Sequence, residues 1–188
     1  VGIVGENVHF EKQKKTEIIK RLDFAKCRLS IAIPRAEQYS GVKFLQGKNI
    51  ATSYPNIVKD FLQKNGVEAG IHEISGSVEI APGIGLAEAI CDLVSTGSTL
   101  MSNGLKEVEV VMQSEAVLIA TPALNAAKQA ILDKLLFRIE SVKKAKNNKY
   151  ILLNCPNTSI DKITSVIPGM KSPTIVPLTR EGWSSLHS

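Results

Sequence analysis

Cys27 to Pro34, CRLSIAIP, alternates in the two-residue rhythm of a strand. A second short strand is predicted at Lys48-Asn-Ile-Ala-Thr52. It leads into SYPNIVKDFLQKNG, where Pro55 stands near a helix start and Gly66 just past its end. Ile57, Val58, Phe61 and Leu62 recur at helical spacing and make that helix's apolar stripe. VEAGIHEI, residues 67–74, reads as a further strand. Residues 76–88 are rich in Gly, Ala and Pro, and Ala89 to Val94 is a short apolar run of the kind buried parallel strands show. Strands alternating with helices predict an α/β fold with a mostly parallel sheet.

Further on, EVEVVMQSEAVLIATP, residues 107–122, reads as one or two strands interrupted near Gln113-Ser114. The clearest helix follows: Ala127, Ile131, Leu135, Ile139 and Val142 recur at three- and four-residue steps, flanked by Leu132 and Leu136. Its basic end, Lys143 to Lys149, suits the negative end of a helix dipole, and a domain boundary is placed there. The rhythm then changes to strand YILLNCP, helix SIDKITSVIPG, strand SPTIVPL and strand GWSSLHS. That β-α-β-β order is two-thirds of a ferredoxin-like unit and suggests truncation.

Composition narrows the function classes. With 44% hydrophobic and 22% charged residues the chain is ordinary for a globular protein, and no stretch reaches the ~18 apolar residues of a membrane span. Aromatic residues are only 5%, a poor supply of stacking platforms for single-stranded nucleic acid. The net charge of +5 suits anionic ligands, while lysines such as Lys12, Lys14 and Lys15 lie in solvated helical segments rather than a nucleic-acid patch. Cys27, Cys91 and Cys155 form no C-x-x-C pair and sit in or beside apolar runs, so free thiols in a reducing cytoplasm are expected. His9, His72 and His187 lack metal-ligand spacing and are expected to be structural. The opening VGIVGENVHF reads like a chain entered in mid-strand, and a fragment of a longer protein is expected.

One stretch departs from core logic. AICDLVSTGSTL, residues 89–100, follows an apolar run with an acid and then bunches hydroxyls around a glycine. Ser95-Thr-Gly-Ser-Thr99 lies between the predicted strand and a short helical turn that Asn103-Gly104 would close. Unpaired backbone amides, the room Gly97 leaves and the hydroxyls of Ser95, Thr96, Ser98 and Thr99 together would cradle a phosphate without a lysine. Asp92, at the strand end, could accept hydrogen bonds from sugar hydroxyls. A plain N-cap is the other reading of the same residues. The Gly-Lys-[Ser/Thr] ending of a Walker A loop is absent.

The long segment GSVEIAPGIGLAEAICDLVSTGSTLMSNGL, residues 76–105, with KNIATSYPNIVKDFL, residues 48–62, resembles the ATP phosphoribosyltransferase family of histidine biosynthesis. RLDFAKCRLSIAIP, residues 21–34, fits the same family, and IPGMKSPTIVPLTREGW, residues 167–183, resembles the regulatory domain of its long, hexameric form. The resemblance implies a two-lobed, type II periplasmic-binding-protein-like catalytic part and a partial ferredoxin-like, ACT-like C-terminal domain. It places the end of lobe I at 1–22, lobe II at 23–103, the return of lobe I at 104–148 and the regulatory domain at 149–188.

The same resemblance implies condensation of ATP with phosphoribosyl diphosphate, inhibition by histidine, a homo-oligomer (dimer or hexamer), a cytoplasmic location, and neither nucleic acid nor membrane as partner. Ser95 to Thr99 would hold the 5-phosphate, Asp92 the ribose hydroxyls, and Glu79 would lie near the substrates; without the family, Glu79 reads as a solvated carboxylate. Tyr54 would line the cleft or pack as a buried tyrosine. Mg²⁺ is implied, held mainly by substrate oxygens and water. No catalytic side chain is named, and the 188 residues alone are expected to be weakly active or inactive. The competing reading is a non-catalytic binding protein for a small anion or amino acid on the same fold.

Overall fold

Strand β3, Cys27–Pro34, is the axis of the larger sheet. Its alternation does not separate an inside from an outside, because both faces are covered. Leu29, Ile31 and Ile33 enter one core with Ile50, Val58, Leu62, Ala89 and Cys91, while Ala32 enters a second with Ala51, Val78, Ile90, Val94, Leu100 and Leu105. Burying side chains of this size contributes about 1.5–3 kcal/mol each. The computed structural model describes residues 1–146, 148–169 and 172–188. Asn147, in the predicted basic helix end, and Met170 and Lys171, in the 167–183 segment, lie outside the described residues.

The chain divides into two compact units, Val1–Leu124 and Asn125–Ser188. In the first, a five-stranded sheet runs in the order β5-β4-β6-β3-β7. Here β4 is Asn49–Thr52, β5 Gly70–Glu73, β6 Ala89–Val94 and β7 Leu105–Ser114. β4 pairs in parallel with β5 and β6, but β3 pairs antiparallel with both β6 and β7. The expectation of a mostly parallel sheet is therefore corrected to a mixed one. An apolar run reports burial on both faces and not the direction of its neighbour, so strand sense could not be read from it.

Helix α2, Pro55–Lys64, makes the crossover from β4 to β5. Pro55 occupies its first turn, Ile57, Val58 and Leu62 are buried, and Gly66 just beyond it takes a left-handed φ of 62°. A separate three-stranded sheet, β1-β8-β2, joins Gly2–Gly5 and Glu17–Arg21 to either side of Ala116–Ala120. Thus strands from residues 1–22 share a sheet with residues 116–120, whereas β7 stays with β3. Two neighbouring chain passages connect the sheets, with Leu22 N–H donating to Ala116 O (2.9 Å) and Ala116 N–H to Phe24 O (3.0 Å).

Helix α1, Glu6–Lys12, is fastened across this junction by buried polar groups. Glu6 pairs with Arg21, and Asn7 exchanges hydrogen bonds with Ser114 Oγ. The Glu11 carboxylate, almost fully buried, accepts from the Asn56 and Ile57 amides (both 3.1 Å) and from Asn56 Nδ2 (2.9 Å). It thereby caps α2 from outside that helix, satisfying donors the helix cannot satisfy itself.

The second unit holds α4, Ala126–Lys146, then β9 (Leu152–Pro156), α5 (Ile160–Val166), β10 (Thr174–Pro177) and β11 (Trp183–His187). The sheet order β10-β11-β9, antiparallel throughout, builds the expected β-α-β-β unit. Of the apolar positions predicted along α4, only Leu132 is buried; Ile131, Leu135 and Val142 are exposed. All three cysteines are free, with Cys91 and Cys155 buried. His9 contacts Thr16 Oγ1, His72 contacts Asn49 Oδ1 and His187 contacts Ser185 Oγ. Among the described residues no helix is long and apolar enough to cross a membrane.

Replacing Glu11 by Ala is expected to cost about 1–3 kcal/mol through the lost cap and the amides left without a partner. Urea unfolding monitored by circular dichroism measures this, with the exposed Glu17→Ala as a control expected to move stability by less than about 0.5 kcal/mol.

Candidate functional site

The even positions of β3 set the register of the strand that leads into the site. Arg28, Ser30 and Ala32 share a face, and the antiparallel register puts Ser30 directly beside Asp92 on β6. Past Val94 the chain leaves the sheet as Ser95-Thr96-Gly97 and enters a short helix, α3, Ser98–Ser102. Val94 and Leu100 are buried and pin the two ends of this loop into the core, while Ser95, Thr96, Ser98 and Thr99 are exposed. Gly97 turns the corner at φ 82°, a conformation that costs an L residue roughly 1–2 kcal/mol.

These residues wall a pocket of about 220 Å³, which also receives Glu79 and Asp92. Seven of the eight residues expected at a site, Glu79, Asp92 and Ser95 to Thr99, therefore meet in one concavity. Glu79 arrives on a single 3₁₀ turn, Val78–Ile80, that follows Gly76 and Ser77, both with left-handed φ. The loop hydroxyls do not cap α3: its N-cap is Gly97, without a side-chain bond. Thr96 Oγ1 instead lies 3.1 Å from Ser98 Oγ. Among the described residues, the amides of Thr96, Gly97 and Thr99 make no hydrogen bond within the protein. Donors and hydroxyls are thus left facing solvent at a pocket, an arrangement suited to an anion.

Asp92 faces the opposite demand. Burial holds its carboxyl above the usual carboxylate range; the Leu93 amide (2.7 Å) pulls the other way and the nearby Glu79 charge adds to the rise. Two carboxylates in one small pocket call for hydroxyl donors or a cation. Tyr54 does not line this pocket. It ends the loop before α2 and packs half-buried on the core around Leu29 and Ile31. Burial, the Asp92 charge and its other neighbours raise its phenol, while a hydrogen bond with the Asn7 side chain lowers it.

Arg28 and Glu107, which sequence reasoning passed over, complete the site from behind. Arg28 forms a two-pronged ion pair with Glu107, whose carboxylate also accepts from Ser30 Oγ (2.8 Å), and donates from a terminal nitrogen to Ser95 O (3.1 Å). This partner holds the Glu107 carboxyl below its ordinary range. The visible signal was an arginine inside an otherwise apolar central strand. Among the described residues no group of three or more His, Cys, Asp or Glu side chains could hold a metal by itself.

The family described as HisG, ATP phosphoribosyltransferase, matches residues 1–141, and the HisG C-terminal domain matches residues 145–188. ATP phosphoribosyltransferase of Cytophaga hutchinsonii is 61% identical over all 188 residues and that of Bacteroides thetaiotaomicron 57%. In both cases this chain spans 66% of the relative's length. Among solved structures, the ATP phosphoribosyl transferase (HisG:HisZ) complex of Thermotoga maritima superposes with a TM-score of 0.68 at 25% identity, over 77% of this chain and 70% of that one. A substrate-binding protein of an amino acid ABC transporter superposes at 0.53 with 12% identity, over 83% and 65% respectively, a likeness of fold. The fold is thus the expected two-lobed, periplasmic-binding-protein-like one, followed by the C-terminal domain.

Because the Asp92 carboxyl is raised in the fold, the folded state binds its proton more tightly than the unfolded chain. Stability then falls as pH rises from the ordinary aspartate range through the raised one, and stays lower above it. Asp92→Asn is expected to unfold at higher temperature than the parent near pH 8, with the gap closing as pH is lowered below the ordinary aspartate pKa of about 3.9. Thermal unfolding across that range checks both the sign and the window.

Proposed function

We propose, from the premise that this chain belongs to the HisG family of ATP phosphoribosyltransferases, that its loop at residues 95–99 seats the 5-phosphate of phosphoribosyl diphosphate for transfer to ATP. The single observation that carries this reading is the pocket itself, which gathers the unpaired amides and hydroxyls of residues 95–99 with Asp92 and Glu79. The amides and hydroxyls suit a phosphate, and the carboxylates suit the ribose hydroxyls beside it. Tyr54 is assigned a packing part on the core around Leu29 and Ile31.

The reaction joins adenine N1 of ATP to the anomeric carbon as the carbon–oxygen bond to pyrophosphate breaks, the bonding pair leaving with pyrophosphate. No nucleophilic side chain is needed, and the protein's work is to orient two polyanions and meet developing charge with fixed dipoles. Asp92 and Glu79 repel one another across the pocket, and a hard divalent cation sharing them with substrate oxygens and water would relieve that repulsion. Mg²⁺ is the proposed metal; Asp92 and Glu79 would help hold it, and it would supply positive charge to the departing pyrophosphate.

For residues 145–188, which match the HisG C-terminal domain, we propose the regulatory part, with histidine as inhibitor of a cytoplasmic homo-oligomer.

Pyrophosphate release by the complete protein, given ATP, phosphoribosyl diphosphate and Mg²⁺, tests the reading. Asp92→Ala is expected to lower kcat/KM for phosphoribosyl diphosphate by about 10–100-fold, the worth of its hydrogen bonds to the sugar. Gly97→Trp, which places a bulky side chain at a left-handed φ, should abolish binding of that substrate. Unchanged turnover in both variants would refute the site, and tight calorimetric binding of an amino acid without affinity for phosphoribosyl diphosphate would favour the binding-protein alternative.

A further inference from the structure

The loop at residues 95–99 is a wall with two sides. Thr96, Gly97 and Leu100 line the front pocket with Asp92 and Glu79, and they also line a second cavity of about 490 Å³ behind the loop. The two cavities differ in charge. The front one holds the carboxylates; the rear one holds Arg28, Arg35 and Lys106 together with Glu107. Arg28 takes no part in the front pocket, yet it is the rear cation bonded to the loop's own backbone.

We propose that Arg28 is a positioning residue for the sugar-phosphate loop: clamped by Glu107, its guanidinium grips the Ser95 carbonyl from behind and turns the Thr96 amide toward the front pocket. The inference rests on the functional reading above and deepens it. In a trans peptide the C=O of one residue and the N–H of the next point in opposite directions. No cis peptide occurs among the described residues. Fixing Ser95 O toward Arg28 therefore sends the Thr96 N–H the other way. The guanidinium suits this because its donors form a rigid planar fork. One edge meets both oxygens of Glu107, leaving a terminal nitrogen aimed at Ser95 O at 3.1 Å.

Glu107 is itself held. Its register position opposite Ala32 and the Ser30 hydroxyl at 2.8 Å fix the carboxylate against the central strand. Ser30 is also the cross-strand partner of Asp92, so a single strand sets both the ribose-side carboxylate and the clamp behind the phosphate loop. A cation at the oxygen end of the 95–96 peptide further polarises its N–H, strengthening the bond that amide gives an anion.

Three variants of the complete protein test this: Arg28→Met, Arg28→Lys and Glu107→Gln. Binding of phosphoribosyl diphosphate is read by calorimetry, with KM for each substrate, kcat and the thermal midpoint alongside. Arg28→Met is expected to weaken phosphoribosyl diphosphate binding about 10-fold, the lower end of what a charge-assisted hydrogen bond contributes, with KM for ATP within about twofold. Glu107→Gln should move the same constant in the same direction by less. Arg28→Lys restores the charge without the fork and should stay weak.

Full rescue by lysine would mean that charge alone matters and would overturn the positioning role. Equal shifts in both KM values, or a lowered thermal midpoint with binding intact, would reduce the pair to a structural tie and overturn it too. Should Arg28→Met fail to fold, Glu107→Gln and Arg28→Lys decide between the same outcomes. A parent protein without affinity for phosphoribosyl diphosphate would refute the functional reading itself, and this inference with it.

Discussion

A strand buried on both faces and paired on both edges leaves no freedom of register, and β3 is such a strand. Slipping it by one residue would drive Arg28 and Ser30 into the core of Leu29, Ile31 and Ile33 and bring those apolar side chains to the site. The cost would be several buried side chains at once, each worth about 1.5–3 kcal/mol. Everything at the site inherits this constraint. Ser30 lies beside Asp92, Arg28 lies opposite Val94 where the loop begins, and Glu107 comes from the other edge to meet both.

The two sheets of the first unit are joined by polar groups rather than by a continuous apolar core. Asn7 and Ser114 answer each other's hydrogen bonds, and Glu11 caps α2 across forty-five residues of sequence. Buried polar groups of this kind are costly when left unpartnered and specific when satisfied, so they define how α1 meets α2 more sharply than apolar contact would. The Tyr54 phenol, beside this junction, lies in the field of Asp92, and burial raises it further.

Charge is distributed around the loop in layers. Carboxylates stand in front, amides and hydroxyls form the wall, and cations stand behind it. A phosphate bound at the wall would be met by amides and hydroxyls, backed by Arg28, which keeps Glu107 as its partner. That layout would suit an anion without a lysine in direct contact.

Local pattern was enough to find most elements: the strands at 27–34 and 89–94, the helix between Pro55 and Gly66, and the β-α-β-β ending all read out of periodicity and punctuation. The exposed loop at residues 95–99 was legible too, because its hydroxyl residues are wrong for a core. Three things were not legible. Strand sense was not, since burial looks the same in parallel and antiparallel sheets. Nor was the exposure of α4, whose apolar residues gave the rhythm of a covered helix, though among them only Leu132 is fully buried. Last was the Arg28–Glu107 clamp, whose members lie 79 positions apart. A sequence determines which residues prefer to be buried, to turn or to face water, because those preferences are local. Which distant side chains share a face is decided by register and pairing, and these exist only once the sheet has formed.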